Sequence, residues 1–158
     1  MNLKKKIRRL IVFFMVALVL SGITAFPVET ELRWVLEAKD FMPDALVNWL
    51  RSCYDAIKDT NINYPMLAYG YDWLAFAHIV IAGAFIGVYK DPVRNKWIID
   101  WAIMACIAVL PLAFIAGPIR HIPFFHILID CAFGIIGLVP LFICKKWIKQ
   151  LEENNWGG

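Results

Sequence analysis

The stretch FFHILIDCAFGIIGLVPLFIC, residues 124–144, is long, apolar and interrupted by one acidic residue, Asp130. A helix needs ~20 mainly apolar residues to cross a hydrocarbon layer of about 30 Å. Residues 10–26, 73–89 and 97–115 form three further stretches of similar character. Since only helices and closed barrels satisfy their backbone hydrogen bonds inside a membrane, the sequence predicts an all-α membrane protein, a four-transmembrane-helix bundle.

The composition of the whole chain agrees with a membrane protein. The 158 residues are 61% hydrophobic and 18% charged, and the mean hydropathy is +0.62. These values are too apolar for an ordinary soluble domain. We expect a single four-span domain over residues 1–150, followed by a disordered tail or cloning remnant over residues 151–158.

The positions of the basic residues predict the orientation in the membrane. Eleven of the 16 Lys and Arg residues lie before the first stretch, between the second and third, or after the fourth. Because Lys and Arg accumulate in cytoplasmic loops, both termini are predicted to be cytoplasmic, in a bacterial inner membrane. The net charge of +3 then reflects topology. No nucleic-acid-binding module is visible, and no nucleic-acid partner is expected.

The segment between the first and second stretches predicts an extracytoplasmic helical cover. Residues 27–72 carry eight acidic and four basic residues. Apolar side chains recur at helical spacing within this segment, at Leu46, Trp49, Leu50, Cys53 and Ile57. This pattern is typical of an amphipathic helix, so we expect helical structure over residues 29–59 that lies at the outer interface.

The first apolar stretch has a second interpretation as a secretory signal. A basic start and small residues at Ser21, Gly22 and Ala25 are ingredients of such a signal. The apolar run, however, exceeds the ~7–15 residues of a signal core, which favours a retained span. The four cysteines form no CxxC pair, so thiol redox chemistry is not indicated.

Aromatic residues are concentrated directly before the second stretch. Tyr64, Tyr69, Tyr71 and Trp73 fall within ten residues of one another. Amphipathic aromatic rings prefer the headgroup region of a bilayer, so this segment is predicted to anchor the chain at the interface. A wall of a ligand site is the alternative.

Ionisable residues beside the fourth stretch predict a polar pocket near the extracytoplasmic face. Asp130 and His126 share one face of a helix, and Asp130 lies about two turns inside the predicted surface. A carboxylate within hydrocarbon is costly and usually has a partner. The predicted lining consists of His78, Arg120, His121, His126 and Asp130.

Three occupants of this pocket are consistent with its residues. Imidazole and carboxylate groups suit a metal ion, with His78, His121, His126 and Asp130 as ligands, or a haem held by His78 and His126. In a structural alternative, Arg120, His126 and Asp130 form a hydrogen-bonded clasp. In a third, Arg120 and His121 bind the phosphate of a membrane lipid, while His126 and Asp130 reach a carbonyl or hydroxyl group.

Catalysis would depend on the same pair of residues. His126 would act as a general base or acid and Asp130 would orient it. The only serines, Ser21 and Ser52, lie in no nucleophile motif, so Ser-type hydrolysis finds no support.

Small residues predict close helix packing. Gly83 and Gly87 are spaced to let helices approach, within one chain, in a homo-oligomer or in a membrane complex. Ala102, Cys106 and Gly117 belong to a second small-residue face. The sequence thus predicts a small polytopic membrane protein that binds a lipid-like ligand, a metal or haem, or alternatively an accessory or assembly subunit with a purely structural polar cluster.

Overall fold

The computed structural model describes residues 2–156, and the side chains of residues 2–154. Every regular element in this part of the chain is helical, and it contains no strand. The six α-helices are α1 (Leu3–Ala25), α2 (Val28–Glu37), α3 (Asp44–Asn63), α4 (Pro65–Lys90), α5 (Lys96–Ile119) and α6 (Phe124–Trp156). A 3₁₀ turn, Lys39–Phe41, lies between α2 and α3. The prediction of an all-helical chain is confirmed.

Four of the helices, α1, α4, α5 and α6, are long and apolar enough to cross a membrane. They contain the four predicted stretches, apart from Phe26, which follows α1. Each helix also extends into polar flanking residues that the apolar pattern left out. α4, for example, begins at Pro65, because proline favours the first position of a helix.

The chain divides into two compact units. The terminal unit comprises Met1–Phe14 and Ala84–Gly158, and the central unit comprises Met15–Gly83. The prediction of a single domain over residues 1–150 stays a prediction. Helical structure over the predicted cover, residues 29–59, is confirmed by α2 and α3, which pack against each other in the central unit.

In the terminal unit, α5 and α6 form an antiparallel pair with a seam of small residues. A Cβ atom placed on Gly134 would lie 2.8 Å from the Cys106 carbonyl oxygen. One placed on Gly117 would lie 2.5 Å from Cδ1 of Ile127, which is 3% exposed. The backbones therefore approach more closely than larger residues allow, as the small-residue pattern of α5 predicted.

Ion pairs join the far ends of α5 and α6. Lys145 Nζ lies 2.6 Å from Asp100 Oδ1, and Lys96 Nζ lies 2.8 Å from Glu152 Oε1. The prediction of a disordered tail from residue 151 is wrong for residues 151–156, because α6 continues through Trp156 and Glu152 pairs with α5. Gly157 and Gly158, the rest of that tail, lie outside the described residues.

The two glycines predicted to pack helices differ in environment. The Asn95 side-chain amide donates a hydrogen bond to the Gly87 carbonyl oxygen at 3.0 Å, and a Cβ on Gly87 would lie 3.2 Å from that side chain. Gly87 therefore packs against the turn between α4 and α5. No described atom lies within 4 Å of a Cβ placed on Gly83, whose surface is exposed.

In the central unit, α1 and α4 make a close contact at Gly22, one of the small residues on which the alternative interpretation as a secretory signal rested. A Cβ on Gly22 would lie 2.7 Å from the Ala75 carbonyl oxygen and 3.0 Å from Cγ1 of Ile79. Gly22 is buried, and Ala75 is 0% exposed. The packing gives Gly22 a structural role within the folded chain.

Replacement of glycine by alanine should have opposite effects on the free energy of unfolding at Gly134, in the seam, and at Gly83, outside it. Gly134→Ala should lower the free energy of unfolding by about 1–3 kcal/mol, because the new methyl group clashes with the Cys106 carbonyl oxygen. Gly83→Ala, the matched control, should raise it by about 0.5–1 kcal/mol, since alanine is the better helix former and has open space. Thermal unfolding of the purified variants in one detergent measures both, and equal midpoints would contradict the seam.

Candidate functional site

The turn between α5 and α6 is shaped by a helix C-cap with a histidine in a glycine-like position. His121 has φ 56°, in the left-handed region. Its N–H donates to the Pro118 carbonyl oxygen at 3.1 Å, and the Ile122 N–H donates to the Gly117 carbonyl oxygen at 2.9 Å. These two bonds form a Schellman motif, which satisfies carbonyl groups that the helix end would leave unpaired. His121 therefore has a conformational role in the turn.

His126 and Asp130 lie in the first two turns of α6. Pro123 precedes the helix, and its carbonyl oxygen accepts hydrogen bonds from the N–H groups of His126 at 2.9 Å and Ile127 at 3.2 Å. The i, i+4 spacing brings His126 Nε2 within 3.8 Å of Asp130 Oδ1. This separation suits an electrostatic contact but exceeds a direct hydrogen bond. The predicted proximity of the two side chains is confirmed.

Both members of this pair are open to the surroundings. The His126 side chain is 39% exposed and the Asp130 side chain is 47% exposed. Their neighbours Leu128 and Ile129 are also exposed, so the pair lies on a largely apolar surface. A ligand approaching α6 from outside the terminal unit can thus reach both polar groups.

Arg120 caps the end of α5 and is exposed. Its backbone N–H donates to the Ala116 carbonyl oxygen at 3.0 Å. No salt bridge joins Arg120 to Asp130 within the described part of the chain. The three-residue clasp is therefore only partly formed, because Asp130 contacts His126 alone. The Arg120 side chain extends from the turn, where it remains accessible to an anion.

His78 belongs to α4 and to the central unit. Its Nδ1 lies 2.8 Å from the Leu74 carbonyl oxygen, one turn earlier in the helix. Only a protonated Nδ1 can donate to that oxygen, which leaves Nε2 as the available nitrogen of a neutral ring. The role of His78 as a ligand stays a prediction.

A metal site finds no support in the arrangement of side chains. Among the described residues there is no group of three or more His, Cys, Asp or Glu that could hold a metal ion. Protein metal sites usually supply at least three such ligands. The predicted metal set of His78, His121, His126 and Asp130 is therefore not assembled as one cluster among the described residues, whereas the haem held by His78 and His126 stays a prediction.

The four cysteines form no disulfide bond. Cys53, Cys106, Cys131 and Cys144 are all free thiols. Burial raises the pKa of the Cys53 thiol, so less of it is present as the nucleophilic thiolate near neutral pH.

Sequence reasoning missed a groove at the basic end of the α5–α6 pair. It has a volume of about 550 Å³ and an apolar floor of Ile99, Phe142 and Ile148. Its charged rim consists of Lys96, Asp100, Lys145, Lys146, Lys149 and Glu152. The groove could not be predicted because the fourth span was expected to end at residue 144, whereas part of the rim belongs to the continuation of α6 beyond that residue.

Comparison of the chain with known protein families, with curated proteins and with solved structures finds no significant match.

The left-handed conformation at the C-cap predicts a stabilising substitution. His121→Gly should raise the free energy of unfolding by about 1 kcal/mol, because glycine adopts this conformation without the Cβ penalty. His126→Gly should lower it by about 1 kcal/mol, since it places glycine within a helix. Thermal unfolding midpoints of the two variants provide the measurement. A lower midpoint for His121→Gly would contradict this description of the turn.

Proposed function

We propose that the protein is an integral membrane protein that binds a lipid-like ligand at the turn between α5 and α6. The ligand contacts Arg120, His121, His126 and Asp130. The observation that carries this proposal is the exposed His126–Asp130 pair on a surface that is otherwise apolar.

The surface of the spanning helices supports a membrane location. Large apolar side chains point outward along α5 and α6, including Phe133 at 73% exposed, Ile136 at 67% and Leu112 at 65%. In water this surface would be unfavourable, whereas lipid chains solvate it. Buried polar or charged side chains are absent from the described residues, which fits an interior held together by apolar packing.

An exposed carboxylate on such a surface favours a polar occupant. Asp130 lies six residues after the start of α6, or about 9 Å along the helix axis. At this depth a carboxylate that faces lipid has a high free energy unless it is paired or hydrated. His126 supplies one contact at 3.8 Å, and a ligand hydroxyl group would supply a further one by donating a hydrogen bond to the carboxylate.

The basic residue in the turn determines the ligand class. Arg120 offers a planar set of N–H donors that matches the oxygens of a phosphate, and His121 is exposed beside it in sequence. A phospholipid presents a phosphate near the surface and hydroxyl or ester groups slightly deeper. Arg120 in the turn would therefore meet the phosphate, and Asp130, two turns into α6, would meet the deeper hydroxyl group.

We further propose that both termini are cytoplasmic, in a bacterial inner membrane. Basic residues of the N-terminal segment contact α4 and α6 within the terminal unit. The Arg8 side chain donates to the Tyr89 carbonyl oxygen at 3.1 Å, and Lys6 Nζ lies 5.8 Å from the centre of the Trp147 ring. Lys and Arg residues gathered at one end favour the cytoplasmic side, so the α5–α6 turn would face outward.

The orientation predicts which introduced thiols an impermeant maleimide reaches in intact cells. In a chain with Cys53→Ala, Ser52→Cys on the exposed face of α3 should be labelled from outside. Gln150→Cys, exposed on α6, should be labelled only after the membrane is opened. The reverse pattern would contradict the proposed orientation.

Lipid binding should depend on the charge of Arg120. Arg120→Gln should weaken binding of a phospholipid by about tenfold or more, since it removes a charge-assisted hydrogen bond to phosphate. Native mass spectrometry of the protein with added phosphatidylglycerol measures the bound fraction. Arg33→Gln, which changes the same charge at an exposed position of α2, is the matched control.

The same measurement separates this function from that of an assembly subunit. Gly83→Ala should leave lipid binding unchanged, because Gly83 lies outside the turn. Equal weakening by Arg120→Gln and Arg33→Gln would show that only net charge matters and would refute the site.

A further inference from the structure

The central unit contains a groove lined almost entirely by aromatic rings. It has a volume of about 320 Å³, and its lining residues are Phe26, Tyr69, Asp72, Trp73 and Phe76. Four of them come from successive turns of α4, at i, i+3, i+4 and i+7, and therefore share one face of the helix. Phe26, directly after α1, completes the groove.

The rings are arranged edge to face, so several ring faces remain open. The centres of Tyr69 and Trp73 lie 6.0 Å apart with an interplanar angle of 82°. Those of Trp73 and Phe76 lie 6.1 Å apart at 88°. Trp73 is 57% exposed in this arrangement. The negative faces of aromatic rings attract cations within about 6 Å.

Asp72 is the one charged residue in the lining of this groove. Its side chain takes part in no salt bridge and no side-chain hydrogen bond within the described part of the chain. An aromatic anchor at the membrane interface accounts for Tyr69 and Trp73 but does not require a carboxylate between them. The combination of open ring faces and an unpaired negative charge favours a cation with an apolar surface.

We propose that this groove binds the quaternary ammonium group of a lipid headgroup. The methyl groups of such a cation contact the ring faces of Trp73 and Tyr69, while Asp72 neutralises its charge. A lipid is the favoured source because the groove continues into an apolar helix face. Phe76 lies at the start of that face, and Val80, one turn further, is 53% exposed and open to acyl chains.

This site is independent of the one proposed at the α5–α6 turn. It uses residues of the central unit alone and recognises the cationic part of a headgroup rather than its phosphate. Arg120→Gln should therefore leave it intact, and failure of one proposal does not entail failure of the other.

The test compares three probes by isothermal titration calorimetry with the purified Arg120→Gln variant in a maltoside detergent, because the intact α5–α6 turn would bind the phosphate of either lipid. These are dihexanoyl phosphatidylcholine, dihexanoyl phosphatidylglycerol and choline chloride. We expect the phosphatidylcholine to bind about tenfold more tightly than the phosphatidylglycerol, and choline alone to bind more weakly than the phosphatidylcholine. Equal binding of the two lipids would overturn the proposal. Choline binding as tightly as the lipid would overturn the lipid source.

Two variants test whether the preference for phosphatidylcholine over phosphatidylglycerol depends on the groove. Trp73→Leu keeps an apolar side chain but removes the ring face, and Asp72→Asn removes the charge at nearly constant size. Each should reduce binding of the phosphatidylcholine by roughly 3–30-fold. Trp34→Leu and Asp55→Asn, exposed in the same unit but outside the groove, are the matched controls. Helical content by circular dichroism verifies that all four fold, and equal losses in variants and controls would refute the assignment.

Discussion

The close approach of α5 and α6 at Gly134 is the constraint on which the terminal unit depends. Between helices in lipid, burial of apolar surface gives little driving force, so association depends on van der Waals contact at short range. Because Gly134 has no side chain, the backbone of α6 can lie close to the Cys106 carbonyl oxygen of α5. The same pairing brings Gly117 against Ile127, and the turn must then reverse the chain within residues 120–123. His121 adopts its left-handed conformation to make this reversal.

The four long apolar helices could be predicted from the sequence because their signal is the length of an apolar run. The ends of these helices could not be predicted, since the polar residues that extend a helix contact residues that are distant in sequence. Past Cys144, α6 is joined to α5 by the Lys145–Asp100 and Glu152–Lys96 ion pairs, and its Ile148 is buried. These partners are separated by 45 and 56 residues, so no local pattern reveals them.

In the candidate sites, too, contacts between neighbours in sequence could be predicted and contacts between distant residues could not. The His126–Asp130 contact was predictable because a helix always brings residues four apart together. The missing contact of Arg120 with Asp130 was not, since it depends on how the turn directs one side chain. The aromatic residues of α4 were visible as an interfacial cluster, but Phe26, which completes their groove, belongs to a different part of the chain.

The middle parts of α5 and α6 contain no charged or histidine residue, which argues against transport of an ion through the terminal unit. α5 has no acidic, basic or histidine residue from Trp101 to Ile119, and α6 has none from Cys131 to Cys144. A path for an ion or polar solute would need polar groups along these helices, because an apolar lining offers no replacement for hydration. The charged and histidine residues of these helices lie instead before Trp101, before Cys131 or after Cys144. This distribution is consistent with the proposed binding of a lipid headgroup.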